Sequence, residues 1–453
     1  MWALNAQTLQ PMLSEWRYAG DAAWVAATQF IDTASSRALQ VRSAVEQVTL
    51  NPVNVRGNGV DSNVSGAAAV VVIRDARVSA GGAMGGRDLA SFGNGSYGGS
   101  IPPVYLIQEN VRNVFCSGGA FVALTQDGVA LPFGEAGSGA NMGNVSPSGF
   151  ATIASNSYAF AGLTTTGDVR AWGNASYGGT LPTGGLSNIR RVFNGGLSFC
   201  AERTDGSIVA WGAGVVANPV PGVTNVDRVI CSYQAYAGIT QTKRLFAFGV
   251  TAFGGTLPAD IANRTDIQRL CCANARAFVA LTTGKNVVAW GEAGYGGNLA
   301  SFPGIAALRF VDVASTWQAF AGITENNRVA AWGVAPAGVV PAHIAALTNA
   351  IQVVGTSHAF AVLCADGRVF AWGNATLGGD TSAVAAQLIN VVAIYTNSHG
   401  FIALTSDKRV VTWGQATGIG GASGLNGFVS YVDGTVTAME GASVEAHEAA
   451  ESP

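Results

Sequence analysis

Histidines are the side chains in this sequence best suited to holding a metal ion or moving a proton near neutral pH. There are four of them: His343, His358, His399 and His447. His358 and His399 occupy equivalent places in successive copies of a repeat described below, so we expect them to lie side by side. A zinc site needs further Cys, His or carboxylate ligands, and none stands in register with this pair. We therefore predict no metal and no cofactor.

Catalytic motifs are missing from the sequence. It contains no Gly-x-Ser-x-Gly elbow, phosphate-binding loop, His-Glu-x-x-His or paired-Cys metal motif. The aspartates that recur with the repeat stand in polar turns between apolar stretches: Asp75, Asp127, Asp205, Asp366 and Asp407. Catalytic acids would need two of these on one face with shifted pKa values. We predict no catalytic residues and a protein that is not an enzyme, with a pocket invisible in sequence as the remaining alternative.

The elements that would position these side chains belong to a repeat that closes with an aromatic residue and a glycine. The closing pairs are Phe92-Gly93, Phe133-Gly134, Trp172-Gly173, Trp211-Gly212, Phe248-Gly249, Trp290-Gly291, Trp332-Gly333, Trp372-Gly373 and Trp413-Gly414. Successive pairs are 37 to 42 residues apart. Each copy has an Ala-aromatic strand, a polar turn that is Asp-Gly in three copies, and a second strand, which is the pattern of a β-hairpin. We expect the recurring Trp residues to be core.

A further apolar stretch precedes each hairpin, so each unit offers at least three strands. One small sheet cannot cover both of its faces, and closing the copies into a ring leaves only short protected edges. The sequence predicts an all-β fold, a β-propeller of about seven to nine blades, with nine hairpins counted. The first copy is degenerate, and we expect a strand pair at residues 428–438 to complete that blade.

The repeat resembles that of the regulator of chromosome condensation superfamily. The resemblance is carried by residues 360–374, Phe-Ala-Val-Leu-Cys-Ala-Asp-Gly-Arg-Val-Phe-Ala-Trp-Gly-Asn, and by the lead-ins Ser357-His358 and Ser398-His399. It is nearest to short-repeat bacterial members such as the propeller-type β-lactamase inhibitor protein. The resemblance implies a propeller, usually of seven blades, that acts as a protein-binding scaffold. The short units and a Gly-Gly in place of the usual Gly-Gln set the chain apart from the chromatin-bound founder, so no functional residue is carried over.

Two sets of residues are candidates for binding. The position just before each Ala-aromatic pair varies while its neighbours repeat, so we expect it to face a rim or the channel; its large polar members are Tyr158, Gln234, Arg276, Gln318, His358 and His399. The second set is the aromatics of the Gly-rich loops: Tyr97, Tyr177, Phe253 and Tyr295. Exposed aromatics supply much of the energy of protein recognition. The alternative for the second set is a structural plug between blades.

Residues 1–55 lack the repeat and are predicted to form a helical segment ahead of a propeller at 56–440 and a solvated tail at 441–453. From Asp21, apolar residues recur in steps of three and four at Trp24, Ala27, Ile31, Ala34, Ala38, Val41, Val45 and Val48. That spacing is a heptad seam. It predicts either a homo-oligomer formed through residues 21–48 or a helix lying against the propeller.

Composition limits the partners. The chain is 49% hydrophobic and only 11% charged, with a net charge of -3 and 60 glycines, which fits many short strands and turns. Scattered arginines and three lysines form no basic stripe, so we expect no nucleic acid. Three of the six cysteines, Cys116, Cys231 and Cys271, follow the same strand in different repeats, which favours free thiols in small-residue positions over disulfides. No membrane span or standard secretory signal is evident, so the compartment is unknown: cytoplasmic, or reached by a non-standard route.

The function we expect is a non-enzymatic binding propeller that recognises a protein or glycan partner through one face. The first alternative is a structural protein that assembles through its N-terminal helix. The second alternative is an enzyme.

Overall fold

The computed structural model describes residues 13–18, 21–27, 30, 39–43, 46–50, 54–59, 67–74, 77–78, 84–85, 88–108, 110–214, 222–429 and 432–438. Within these residues, nine antiparallel sheets of three strands follow one another along the chain. Each sheet is one blade, and the first strands of neighbouring blades lie side by side around the ring, with those of the ninth and first blades in contact. The structure is a nine-bladed β-propeller, as the repeat predicts.

The first, inner strand of each blade lines the central channel. The inner strands are Val55–Gly57, Val111–Cys116, Phe150–Ser155, Ile189–Phe193, Val226–Cys231, Ile267–Ala273, Phe310–Ser315, Ala350–Gly355 and Val391–Thr396. The middle strands are Ala69–Ile73, Ala120–Thr125, Ala159–Thr164, Ser198–Arg203, Ala235–Thr240, Ala277–Thr282, Ala319–Thr324, Ala359–Cys364 and Gly400–Thr405. The outer strands are Leu89–Gly93, Ala130–Gly134, Val169–Gly173, Ile208–Gly212, Leu245–Gly249, Val287–Gly291, Val329–Gly333, Val369–Gly373 and Val410–Gly414.

Middle strands are apolar at nearly every position because both of their faces are covered by neighbouring blades. Ala159–Thr164, for example, is buried along its whole length. Its Phe160 stands opposite Trp172 of the outer strand, with ring centroids 5.5 Å apart. The same pairing recurs in the other blades that close with Trp. Two-sided burial explains why these strands show no alternation of polar residues.

The repeated Trp also joins each blade to the preceding one. Trp172 Nε1 donates a hydrogen bond to the Gly139 carbonyl at 3.1 Å, and Trp211 Nε1 donates to the Gly178 carbonyl at 3.0 Å. Gly173 follows Trp172 with a φ of 101°, and a Cβ there would come within 2.7 Å of the Tyr158 carbonyl oxygen. The Trp-Gly pair is therefore core, as expected, and glycine is required for steric reasons.

Turns at the two ends of the ring are different. Inner and middle strands are joined at one end, which we call the turn end, and middle and outer strands at the other, the hairpin end. At the hairpin end, the glycines of the Asp-Gly turns take the left-handed conformation, with φ values of 79° at Gly128, 85° at Gly206 and 76° at Gly367. Glycine adopts this conformation without steric cost.

The ring closes differently from our expectation. The first blade takes all three strands from residues 55–93, and its middle strand pairs with Leu89–Gly93 across an inserted hairpin, Arg77–Val78 with Met84–Gly85. Residues 416–429 seal the junction with the ninth blade, where Ile419, Leu425 and Val429 pack with Val70 and Val72. The predicted strand pair at 428–438 is wrong, because Val432–Ala438 is one strand that pairs with Glu46–Leu50 outside the blade. Residues 430–431 of the predicted strand pair lie outside the described residues.

The predicted N-terminal helix is also wrong where the segment is described. Residues 14–50 contribute four strands to a five-stranded antiparallel sheet, in the order Val25–Ala27, Ser14–Tyr18, Leu39–Arg42, Glu46–Leu50 and Val432–Ala438. Leu39 and Val41 are buried while Gln40 and Arg42 are less so, which is the alternation of a strand. The prediction of self-association through residues 21–48 depended on a helical seam and loses that basis.

Short helices connect the blades. The α-helices are Pro103–Leu106, Ala259–Ala262, Pro303–Ala306, Ala342–Ala345 and Ala416–Ile419. The 3-10 helices are Gly95–Tyr97, Ala136–Ser138, Ala175–Tyr177, Thr251–Phe253, Ala293–Tyr295, Leu299–Ser301, Ala375–Leu377, Ala385–Gln387 and Ala422–Leu425. Among the described residues, no helix has the length and apolar character needed to cross a membrane. The predicted tail at 441–453 lies outside the described residues.

Candidate functional site at the turn end

Among the described residues, the turn at the turn end is tied to the loop that follows the closing aromatic-Gly pair in seven of the nine blades. The first turn residue of the third blade, Asn156, accepts hydrogen bonds at Oδ1 from the backbone N–H groups of Tyr158 and Ala159, at 2.9 and 2.8 Å. Its Nδ2 donates to the Tyr177 carbonyl at 2.6 Å. Asn58, Asn274 and Asn397 make the same link in their blades. The two predicted binding sets therefore lie at the same end of the ring.

Among the described residues, the middle residue of the turn links its blade to the next one around the channel mouth in seven of the nine blades. Its backbone N–H donates to the carbonyl of a turn residue in the next blade, at 2.8 to 3.2 Å. The links run from Gly118 to Ser157 and on to Gly196, and from Tyr233 through Ala275, Trp317, Ser357 and Ser398 to Asn58. This backbone chain joins the ninth blade to the first. It holds the middle side chains close to the propeller axis.

Residues of the two predicted sets contact one another. Tyr158 packs on Tyr177 with ring centroids 4.7 Å apart. The Arg276 guanidinium lies over the rings of Phe253 at 4.9 Å and Tyr295 at 5.4 Å. Phe253 and Tyr295 belong to loops of successive blades, so Arg276 bridges the two loops. Cation–π contacts of this kind fix an arginine in place while leaving its N–H donors available.

All but one of the predicted binding residues are half-buried. Tyr158, Gln234, Arg276, Gln318 and His358 are all half-buried at the turn end. The loop aromatics Tyr97, Tyr177, Phe253 and Tyr295 are also half-buried. Tyr97, Phe253 and Tyr295 pack on the core as well, so their inner edges act as plugs while their outer edges remain accessible.

His399 is the exception, because it is fully buried. Its Nδ1 lies 2.6 Å from Ser398 Oγ, and Gly418 of the helix Ala416–Ile419 lies against its side chain. In the described chain, six of the other blades have a 3-10 helix at the equivalent place. His399 is therefore too deeply buried to contact a binding partner of the protein, although the repeat places it in the same position as His358.

Two further aromatics at the mouth, Tyr233 and Trp317, were not among the predicted residues. Both occupy the middle position of their turns, and their ring centroids are 5.2 Å apart in an edge-on contact. With Tyr158 and the serines of neighbouring turns they line a cavity of about 540 Å³. A signal was available for Trp317, which is the one Trp between residues 60 and 440 outside the closing Trp-Gly position.

Charge and ionisation at the mouth favour neutral hydrogen bonding. Burial beside Tyr177 raises the pKa of Tyr158, so its phenol stays protonated at neutral pH and can donate a hydrogen bond. Aspartates of the hairpin end have lowered pKa values instead: Thr125 lowers that of Asp127, and Ser207 that of Asp205, by hydrogen bonding. These carboxylates are turn-stabilising anions.

Metal-binding and thiol chemistry find little support in the described part of the chain. It contains no group of three His, Cys, Asp or Glu side chains placed to hold a metal. His447 lies outside the described residues. All six cysteines are free, and burial raises the pKa of Cys231 to about 12 and that of Cys271 to about 11. Protonated, buried thiols are poor nucleophiles.

No family model and no curated protein matches the sequence. Similar solved structures include the CRINKLY WD40 ectodomain of the receptor kinase ACR4 from Arabidopsis thaliana, at 16% identity and a TM-score of 0.38, covering 63% of this chain and 99% of that one. Yeast RCC1 (Prp20), bound to Kap60, is 14% identical with a TM-score of 0.37, covering 64% and 78%. The C-terminal domain of gp131 from bacteriophage phiKZ is 11% identical with a TM-score of 0.32, covering 63% and 97%.

All three matches have low identity, and the propeller assignment depends on the nine blades themselves. Nearness to the short-repeat bacterial members stays a prediction.

Proposed function

We propose that this protein is a non-enzymatic propeller that binds a protein partner through its turn end. The observation that carries the proposal is the gathering of Tyr158, Tyr233, Arg276 and Trp317 on one half-buried surface around the channel mouth. Tyr, Trp and Arg are the residues most enriched at the energetic centres of protein interfaces.

Low charge at the turn end supports the same proposal. Within the described propeller, the ion pairs lie at the hairpin end or along the channel wall. None of them involves a residue in the turns of the turn end. Interface centres are depleted of charged residues because burying an unmatched charge is costly. A partner covering the turn end would therefore displace water from aromatic and neutral polar groups. The repeat also resembles that of short-repeat bacterial propellers, which are mostly protein-binding scaffolds. This resemblance supports the proposal.

Mutating the surface tests the proposal. The double variant Arg276→Ala/Trp317→Ala removes one arginine and one tryptophan from the turn end without touching a closing Trp. The matched control is Arg244→Ala/Arg328→Ala, which removes two exposed arginines at the hairpin end. Each protein is immobilised and exposed to extract of its source cells, and the retained proteins are quantified by mass spectrometry after thermal melting has shown that each variant is folded.

The expected result is that a partner retained by the wild type and the control is reduced at least tenfold on the turn-end variant. Loss of two interface residues worth about 1 to 2 kcal/mol each would produce such a reduction. Equal retention on all three proteins would remove the turn end as the binding surface.

A glycan is the second candidate, favoured by the cavity of about 540 Å³ at the mouth. Its walls combine the rings of Tyr158, Tyr233 and Trp317 with hydroxyl groups such as that of Ser157. Apolar walls with a few placed polar groups are typical of small-ligand sites. Binding of the wild type to an array of immobilised oligosaccharides, abolished by Trp317→Ala alone, would favour the glycan over the protein.

A further inference from the structure

The channel wall between the mouth and the hairpin end holds a second cavity, of about 980 Å³. It is lined by the inner strands of the first six blades and reaches Lys243 in a hairpin turn. It adjoins the aromatic cavity at the turn end, with which it shares Cys231, and its other lining residues differ. Its volume is at the upper limit for sites that bind small molecules.

Cations dominate the lining of this cavity. Six positively charged side chains line it, and we call them the channel cations: Arg56, Arg190, Arg191, Arg228, Lys243 and Arg269. The single carboxylate of the lining is Asp227, whose Oδ2 lies 2.7 Å from Lys243 Nζ. This excess of positive charge occurs in a chain whose net charge is -3.

Part of this arrangement has a structural explanation. Inner strands of neighbouring blades are not paired with one another, so their edge carbonyls need other donors. Arg191 Nη1 donates to the Asp227 carbonyl at 3.0 Å, Arg228 Nη2 to the Cys271 carbonyl at 3.2 Å, and Arg269 Nη2 to the Val311 carbonyl at 2.9 Å. A guanidinium has five N–H donors. These contacts hold the arginines in fixed orientations. They leave N–H donors of Arg228 and Arg269 for a ligand, whereas Arg191 also donates to Glu202 and to the Val226 carbonyl.

Carboxylates neutralise only some of the channel cations. Glu202 is fully buried and accepts from Arg190 Nη2 and from Arg191 Nε, both at 2.8 Å, so one carboxylate serves two arginines. Arg269 lies 3.1 Å from Asp312. Within the described part of the chain, Arg56 and Arg228 have no carboxylate within ion-pair distance, and Arg56 Nε is buried without a hydrogen-bond acceptor. A buried donor on a cation without an acceptor is destabilising.

We propose that the channel cations bind a small polyanion that carries two or more phosphate or carboxylate groups. The planar guanidinium forks of Arg56 and Arg228 would each accept one anionic group, because their geometry matches both phosphate and carboxylate oxygens. The size of the cavity favours a small molecule over a polymer. The site is independent of partner binding at the turn end.

Isothermal titration calorimetry with the full chain tests this. Sodium tripolyphosphate is the phosphate probe and citrate the carboxylate probe, each at low salt and again at about 150 mM salt. We expect saturable binding of one probe with one site per chain, weakened as salt rises because ions screen the attraction. Tripolyphosphate binding without citrate binding would assign the site to phosphates, and the reverse result to carboxylates. Absence of binding by both probes at low salt would overturn the proposal.

The matched variants are Arg56→Gln/Arg228→Gln and Arg112→Gln. The glutamine at 228 can still donate to the Cys271 carbonyl, so the first variant removes charge and keeps that contact. Arg112 likewise donates to a carbonyl of the next blade, that of Ala151, but lies outside the cavity lining. We expect affinity to fall at least tenfold in the double variant and to be unchanged in Arg112→Gln. An equal loss in both would show a non-specific charge effect and overturn the proposal.

Hydrogen exchange on the wild type gives an answer that needs no variant. The bound probe should slow amide exchange in Val226–Cys231 and the other inner strands of the cavity, and leave the turns at the mouth unchanged. Slowing at the turn end alone would place the anion elsewhere and contradict the proposal.

Discussion

The two ends of this ring are built from the same repeat and differ in how their turns are stabilised. At the hairpin end, turns use glycines with positive φ, and exposed ion pairs lie in the turns, such as Arg409 with Asp407, and in the connections beside them, such as Arg264 with Asp266, both at 2.7 Å. At the turn end, buried Asn, Ser and Thr side chains hold the turns through hydrogen bonds to the backbone, as Asn156 does with Tyr177. The hairpin end exposes charged side chains to water. The turn end has few charges, and hydrogen bonds to the backbone hold its turns in place.

This difference favours the turn end as the proposed binding surface. Covering an exposed ion pair requires its desolvation, which its own attraction seldom offsets. Covering the turn end requires desolvation of aromatic edges and of hydroxyl groups. A rigid backbone also lowers the entropy lost when a complex forms. The repeat thus builds the ring everywhere and leaves one end suited to recognition.

The largest expected effect separates two kinds of tryptophan. Trp172→Ala removes packing on Phe160 and the hydrogen bond to the Gly139 carbonyl, so we expect a loss of about 3–5 kcal/mol in the free energy of unfolding. Trp317→Ala removes a half-buried ring from the mouth, and we expect a loss of about 1 kcal/mol or less. Urea unfolding followed by fluorescence measures both. Similar losses in the two variants would mean that Trp317 is a core residue.

A smaller effect is expected from the turns themselves. Asn156→Ala leaves the Tyr177 carbonyl and the N–H groups of Tyr158 and Ala159 without their partner, which should cost about 1–3 kcal/mol in the free energy of unfolding. Asp205→Ala is the control at the hairpin end. Its carboxylate is exposed and accepts hydrogen bonds from the backbone N–H and the hydroxyl of Ser207, so the change should be much smaller. Thermal melting of both variants checks the order, and a larger loss in Asp205→Ala would reverse the comparison.

Recurrence explains what the sequence could predict. The aromatic-Gly pairs recur because they close each blade, and their spacing predicts nine hairpins in a propeller of about seven to nine blades. The N-terminal strands carry no such repetition: Val41 and Val48, seven residues apart as in a helical seam, are instead opposite each other on adjacent strands. Both spacings place apolar residues at the same positions, and pairing with Val432–Ala438 is a long-range contact that local pattern does not show.

The two proposed binding surfaces are hidden from the sequence for a different reason. The middle turn position is small in many blades, as at Gly118, Gly196 and Ala275, so Tyr233 and Trp317 do not look like members of a set. The channel arginines are supplied singly or in a pair by separate blades, so they appear scattered in the sequence and meet only when the ring closes. Burial of His399 depends on the helix after the last blade.

The smallest expected effect concerns the ion pairs that distinguish the hairpin end. Arg264 donates to both oxygens of Asp266, at 2.9 and 2.7 Å, yet both side chains are more than one third exposed. Exposed pairs contribute little because water and salt screen them and ordering two side chains costs entropy. A double-mutant cycle of Arg264→Ala and Asp266→Ala should give a coupling energy of about 1 kcal/mol or less, decreasing further in 0.5 M salt. A coupling that exceeds the loss in Asn156→Ala would show that charge, and not backbone capping, stabilises the turns of this ring most strongly.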